Sequence, residues 1–201
     1  QCGGCSLQHL DPREQIASKQ NTLEQNLLRI GKVRPDEYWA PLTGPLWGYR
    51  RKARLSVRYV HKKERVRVGV RDRYGRFVAD MQECHVLDER IAGQLTALSE
   101  LIFSLDARRT IPQNEVACGD DKCALVFRHL EPLSDGDLEK LKTAAHISGI
   151  AGLLQPGGPA ALHGLEPSGG ARGCSLPEVG LGLAVGRSGC LEVCAGGWGG
   201  R

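Results

Sequence analysis

The chain has 201 residues, 41% of them hydrophobic and 25% charged, with a formal net charge of +4. That balance is ordinary for a globular protein with one good core, and no apolar run approaches the roughly 18–20 residues that a membrane-crossing helix needs. Eight cysteines in so long and charged a chain argue against a small secreted disulfide scaffold.

In chain order, the first feature is the close pair Cys2-Gly-Gly-Cys5, which begins immediately after Gln1. The start is expected to be a truncation. Asp11-Pro-Arg-Glu14 then reads as a helix start, with Asp11 as cap, Pro12 in the first turn and Glu14 at the capping-box position. Ile16, Leu23, Leu27 and Ile30 form an apolar stripe that predicts a helix to about Arg29, ended by Gly31. Pro35, Pro41 and Pro45 mark a loop.

From Tyr49 to Val60 the pattern alternates. Ala53, Leu55, Val57 and Tyr59 share one face, and Lys52, Arg54, Ser56 and Arg58 share the other, which predicts a half-buried strand with a cationic face. A turn at Lys62-Lys63-Glu64 leads to a second strand over 66–71, and a turn over 73–76 to a third over 77–81. Between Arg29 and Arg76 there are 15 Lys and Arg against four acids, so this stretch attracts polyanions more strongly than the net charge suggests. Helical periodicity runs from Asp88 to Leu105. Two strands, 115–118 and 123–130, flank a tight connection; Ser134 caps a helix to about His146; and 150–155 reads as a further strand. Residues 150–201 hold 15 of the 26 glycines and only three Lys or Arg, so no regular structure is expected over 186–201.

Taken alone, Cys2 and Cys5 suit a zinc pair, free thiols or an iron–sulfur cluster, and Cys84 suits a buried structural residue. Cys118 and Cys123 have the spacing of a metal pair but read more simply as strand residues. Cys174, Cys190 and Cys194 receive no role.

Three stretches together carry a resemblance. These are Cys2-Gly-Gly-Cys5-Ser-Leu-Gln-His9 with a following helix containing Gln15 and Lys19; Gly48-Tyr-Arg-Arg-Lys-Ala-Arg-Leu-Ser56 with Val68-Gly-Val-Arg71; and Val78-Ala-Asp-Met-Gln-Glu-Cys84-His-Val-Leu87. In order and spacing they resemble the bacterial 23S rRNA uracil-C5 methyltransferases, over about residues 1–159. The resemblance implies a cytoplasmic, S-adenosylmethionine-dependent enzyme, monomeric and without a membrane partner, whose substrate is 23S rRNA. It implies a [4Fe–4S] cluster held by Cys2, Cys5 and Cys84, with the family's first ligand expected before Gln1. It also implies RNA contact through Arg50, Arg51, Lys52, Arg54 and Arg58, with Tyr49 beside them able to stack on a base and Trp47 expected in the core.

The fold class expected is α+β: an iron–sulfur ligand segment with its helix over 1–31, an antiparallel-sheet domain with flanking helices over 32–160, and a disordered stretch over 161–201. In that last stretch Leu176-Pro-Glu-Val-Gly-Leu-Gly-Leu-Ala-Val185 and Glu192-Val-Cys194-Ala resemble altered versions of the family's entry into its Rossmann-like methyltransferase domain. That domain, and with it every catalytic residue, is expected to be missing, leaving the chain inactive by itself. A stand-alone RNA-binding iron–sulfur module is the alternative. A ferredoxin is disfavoured, because the ligands lie 79 positions apart, from 5 to 84, in a basic chain.

Overall fold

A computed structural model describes residues 2–157 and 162–165, together with the backbone of 183–185 and 191–193. The chain forms α1 (Pro12–Asn26), β1 (Lys52–Val60), β2 (Arg65–Gly69), α2 (Glu89–Ala92), α3 (Leu95–Ser104), β3 (Gln113–Cys118), β4 (Cys123–His129), α4 (Asp135–Ser148), β5 (Ala151–Pro156) and β6 (His163–Gly164).

The six strands make one sheet in the order β2-β1-β3-β4-β5-β6. Four of its five pairings are antiparallel, as expected, but β4 and β5 run parallel. The cause is α4. A helix that spans the gap returns the chain to the end of the sheet from which β4 began, and two neighbouring strands joined that way point the same direction. Ser134 caps α4 by accepting from the Asp137 amide, and Gly149, at φ +65°, ends it in the left-handed region that glycine occupies without strain.

The alternation in β1 sets the layers. Leu55 and Val57 are buried, and Ala53 and Tyr59 are partly buried against the same core. Lys52, Arg54 and Arg58 face the other side and are exposed. The core joins that face of the sheet to Ile91, Leu95, Leu98 and Ile102 from α2 and α3 and to Leu141 from α4. The helical run expected over 88–105 is two helices, because the chain breaks at Gly93-Gln94 between them.

Four further expectations are corrected. The stretch 77–81 is not a strand; it makes a single bridge, Arg71 to Val78, closing the turn that Gly75 forms at φ +71°. The stripe on α1 buries nothing: no residue of α1 is buried, and beyond Asn26 the helix widens into a π-helical stretch, Leu27–Gly31. That stretch ends on Lys32, at φ +54°, rather than on Gly31. Within 186–201, Leu191–Val193 forms a three-residue strand, β8, paired antiparallel with Leu183–Val185, β7. Of the stretch expected to be disordered, residues 162–165 are also described and carry β6 of the main sheet, while the rest, including Cys174, Cys190 and Cys194, lie outside the described residues.

A candidate metal centre beside a cationic strand

The Cys2–Cys5 segment attaches to the turn that follows β2. Cys2 bridges Asp72, and the Gly3 amide donates to the Arg71 carbonyl at 2.9 Å. This docking requires glycine. A Cβ on Gly3 would lie 2.6 Å from the Asp72 carbonyl oxygen, closer than real Cβ contacts come. Gly4 turns the chain back, and its amide donates to Cys2 Sγ at 3.3 Å. Cys84 is placed by its amide bond to the Ala92 carbonyl and by the Leu87 amide bonding back to it.

Cys2, Cys5 and Cys84 are free thiols, and all three line one open cleft of about 830 Å³ together with Gln8, Trp47 and Met81. Burial pushes the Cys5 thiol up, Arg50 acts in the opposite sense, and Cys2 and Cys84 add a further upward push. The donor set fits an iron–sulfur cluster: thiolates only, an amide hydrogen bond already aimed at one sulfur, and a roomy mouth rather than the tight pocket of a single ion.

The five basic residues do not form one surface. Lys52, Arg54 and Arg58 share the cationic face of β1. Arg50 lies before the strand, bridges Leu87 and joins Cys5 in lining a second cleft on the α1 side. Arg51 reaches the β3–β4 connection and pairs with Asp120. Arg54 is held 3.2 Å from Glu115 on the neighbouring strand. Arg58 sits opposite Arg67 and joins no ion pair among the described residues. Trp47, expected in the core, is 55% exposed and meets the His85 ring edge-on at 5.8 Å. It belongs to a loop with no strand to carry it inward. Tyr49 is likewise exposed.

Cys118 and Cys123 are strand residues, as expected, but they are also joined as a disulfide. They stand directly opposite each other at the end of the β3–β4 pair. Two cysteines flanking a four-residue hairpin connection oppose one another by register, and that was the signal available in the sequence. Asp88 lies beside them, its carboxylate within 4.8 Å of both sulfurs. Arg90 holds that carboxylate through Nε and Nη2, both at 2.8 Å, which keeps it below the usual carboxylate range. Arg90 also donates to the Gly119 carbonyl and so ties the hairpin to α2.

No family model matches the chain. Among curated proteins it is 48% identical over 180 residues to a protein of Paracidovorax citrulli, 49% over 181 to one of Polaromonas, and 45% over 184 to one of Aromatoleum aromaticum. Each is named 23S rRNA (uracil(1939)-C(5))-methyltransferase RlmD. The matches cover 90–91% of this chain and 37–42% of those relatives. The similarity therefore points toward proteins named as rRNA methyltransferases. Over nine-tenths of its length it is similar to proteins named as 23S rRNA uracil-C5 methyltransferases, and it spans well under half the length of those relatives.

Proposed function

We propose that this chain is the cluster-bearing and RNA-contacting part of an S-adenosylmethionine-dependent 23S rRNA uracil-C5 methyltransferase. The observation that carries the reading is the convergence of Cys2, Cys5 and Cys84 on one cleft, beside a strand with a cationic face, in a chain close in sequence to proteins named for that activity. Residues 1–31 form the ligand segment and helix, 32–160 the RNA-facing domain, and 161–201 the stretch beyond it. Cys2, Cys5 and Cys84 would hold a [4Fe–4S] cluster, which would fasten the N-terminal segment to the sheet. Gly4 donates to Cys2 Sγ and fixes the sulfur's direction. Lys52, Arg54 and Arg58 present charge to RNA phosphates, while Trp47 and Tyr49 offer ring faces to unpaired bases. The protein acts in the cytoplasm as a monomer.

Anaerobic purification or reconstitution tests the metal centre. Iron and sulfide should load with broad visible absorbance that is lost in the Cys84→Ala variant. Stoichiometric zinc without iron would sink the assignment. In the same reading the 201 residues alone transfer no methyl group. Incorporation of labelled methyl from S-adenosylmethionine into 23S rRNA by the purified chain would overturn that.

A further inference from the structure

We propose that the corner where β1, α3 and the 105–112 loop meet is a stacking site for an unpaired base of single-stranded RNA, distinct from the cationic face of β1. The inference rests on the RNA-contacting reading and extends it to residues that reading does not use.

Tyr59 lies on the core side of β1 but past the end of β3. The β1–β3 register stops at Ser56 opposite Gln113, and beyond it the Val57 amide donates to the Pro112 carbonyl as the loop turns across the strand. That crossing sets the Arg109 guanidinium 5.0 Å above the Tyr59 ring. From the last turn of α3, Phe103 stacks on Tyr59 with planes 7° apart and centroids at 6.4 Å. Arg108 lies 5.9 Å from the Phe103 centroid, and His61 meets Tyr59 edge-on at 4.8 Å. Phe103 remains 40% exposed.

The loop is fixed in place. The buried Asp137 carboxylate accepts the Asp106 and Ala107 amides at 2.8 and 3.1 Å, Arg108 Nη1 donates to the Leu105 carbonyl, and Leu130 bonds the Thr110 carbonyl. Pre-ordered rings and cations lose little freedom when a ligand arrives.

Among the described residues, charge is unpaired at this corner, as it is at Arg58 on the opposite face of β1. Arg51, Arg54, Arg65 and Arg67 each meet a carboxylate, whereas Lys62, Lys63, Arg108 and Arg109 join no ion pair among the described residues. One arginine over one ring is a common packing device. Here two arginines stand over a ring pair whose Phe103 is 40% exposed, and two lysines follow His61 on the adjoining turn, so an arriving anion meets four cations that no ion pair engages among the described residues. A nucleic-acid strand supplies both the phosphate and the flat base, and every base has a face to stack. An acidic peptide would use the cations and leave the rings idle.

The test is fluorescence anisotropy of the 201-residue chain with a 12-nucleotide single-stranded RNA carrying 2-aminopurine. Phe103→Leu keeps the apolar volume and should weaken binding about tenfold while relieving 2-aminopurine quenching, and Phe103→Tyr should restore both. The double variant Lys62→Ala/Lys63→Ala, on an exposed turn, should flatten the slope of log affinity against log salt by about 1.4, at roughly 0.7 per phosphate contact. Wild-type affinity and quenching in Phe103→Leu, with binding lost only in Arg54→Ala/Arg58→Ala, would overturn the corner and leave the RNA reading standing. A wild-type chain that binds no RNA would overturn both. Equal competition by polyglutamate would reduce the corner to a patch of charge and overturn base stacking.

Discussion

Asp88 shows how one side chain can serve three ends. It caps α2 by accepting the Arg90 amide, pairs with the Arg90 guanidinium and lies against the Cys118–Cys123 pair. A carboxylate held below its ordinary range binds protons less readily when folded than when unfolded. Its stabilisation is therefore fully present above about pH 4 and fades as pH falls through the lower folded value. Asn caps a helix as well as Asp does, so Asp88→Asn isolates the charge. Thermal melts should show a deficit of about 1 kcal/mol or less at pH 7 that closes as pH falls below the ordinary carboxylate range. A deficit that is the same at every pH would mean the loss is not electrostatic. At this scale the sequence was only partly informative. The alternation of β1 correctly faced Leu55 inward and Arg58 outward, because period two admits no other arrangement. Arg51 and Trp47 lie outside that regular stretch, and their positions depend on Asp120 and His85, which only the folded chain brings near.

β1 is the element on which core and candidate site both depend. Leu55 is 1% exposed and faces the helices, so Leu55→Ala should lower stability by about 2–5 kcal/mol in denaturant melts. On the opposite face the two arginines differ. Glu115 already balances Arg54, while Arg58 confronts Arg67. If this face meets RNA phosphates, Arg58→Ala should flatten the salt slope by about 0.7, and Arg54→Ala by less, with circular dichroism unchanged. Equal slopes in all three proteins would leave the face a solvated strand surface. The strands β1 to β5 were legible because hydrophobic alternation and turn residues agreed there. The run over 77–81 was not, because strand-like residues without a second neighbour to pair with give a bridge and no more.

Across the whole molecule, local pattern foretold the mixed α+β class and the order of elements better than it foretold their connections. The parallel pairing of β4 and β5 follows from the α4 crossover, a property of how the chain returns rather than of the residues in either strand. The three thiols were singled out through the resemblance, and the fold brings them to one cleft. The Gly3 contact that docks Cys2 and Cys5 on the turn at Arg71 and Asp72 emerges only from the fold. Loading iron should therefore depend on that contact as well as on the sulfurs. Gly3→Ala, which keeps all three cysteines, should take up less iron per chain than wild type under identical reconstitution, and equal uptake would show that the segment docks another way.

One consequence of α1 concerns time rather than energy. Fifteen residues of helix with no buried side chain are about as long as an isolated helix must be to persist in water at all. The segment is moored on one side by Gly3 on Arg71 and on the other by Gly48 and Arg50 on His85 and Val86. Between these moorings its amides need wait only for fraying before they trade hydrogen for deuterium, whereas those of β1, β3 and β4 must wait for the sheet to open. Mass spectrometry after short labelling should find residues 12–31 exchanged while the β3–β4 hairpin is still protonated. Matching protection in both would mean that the helix keeps the same clock as the core.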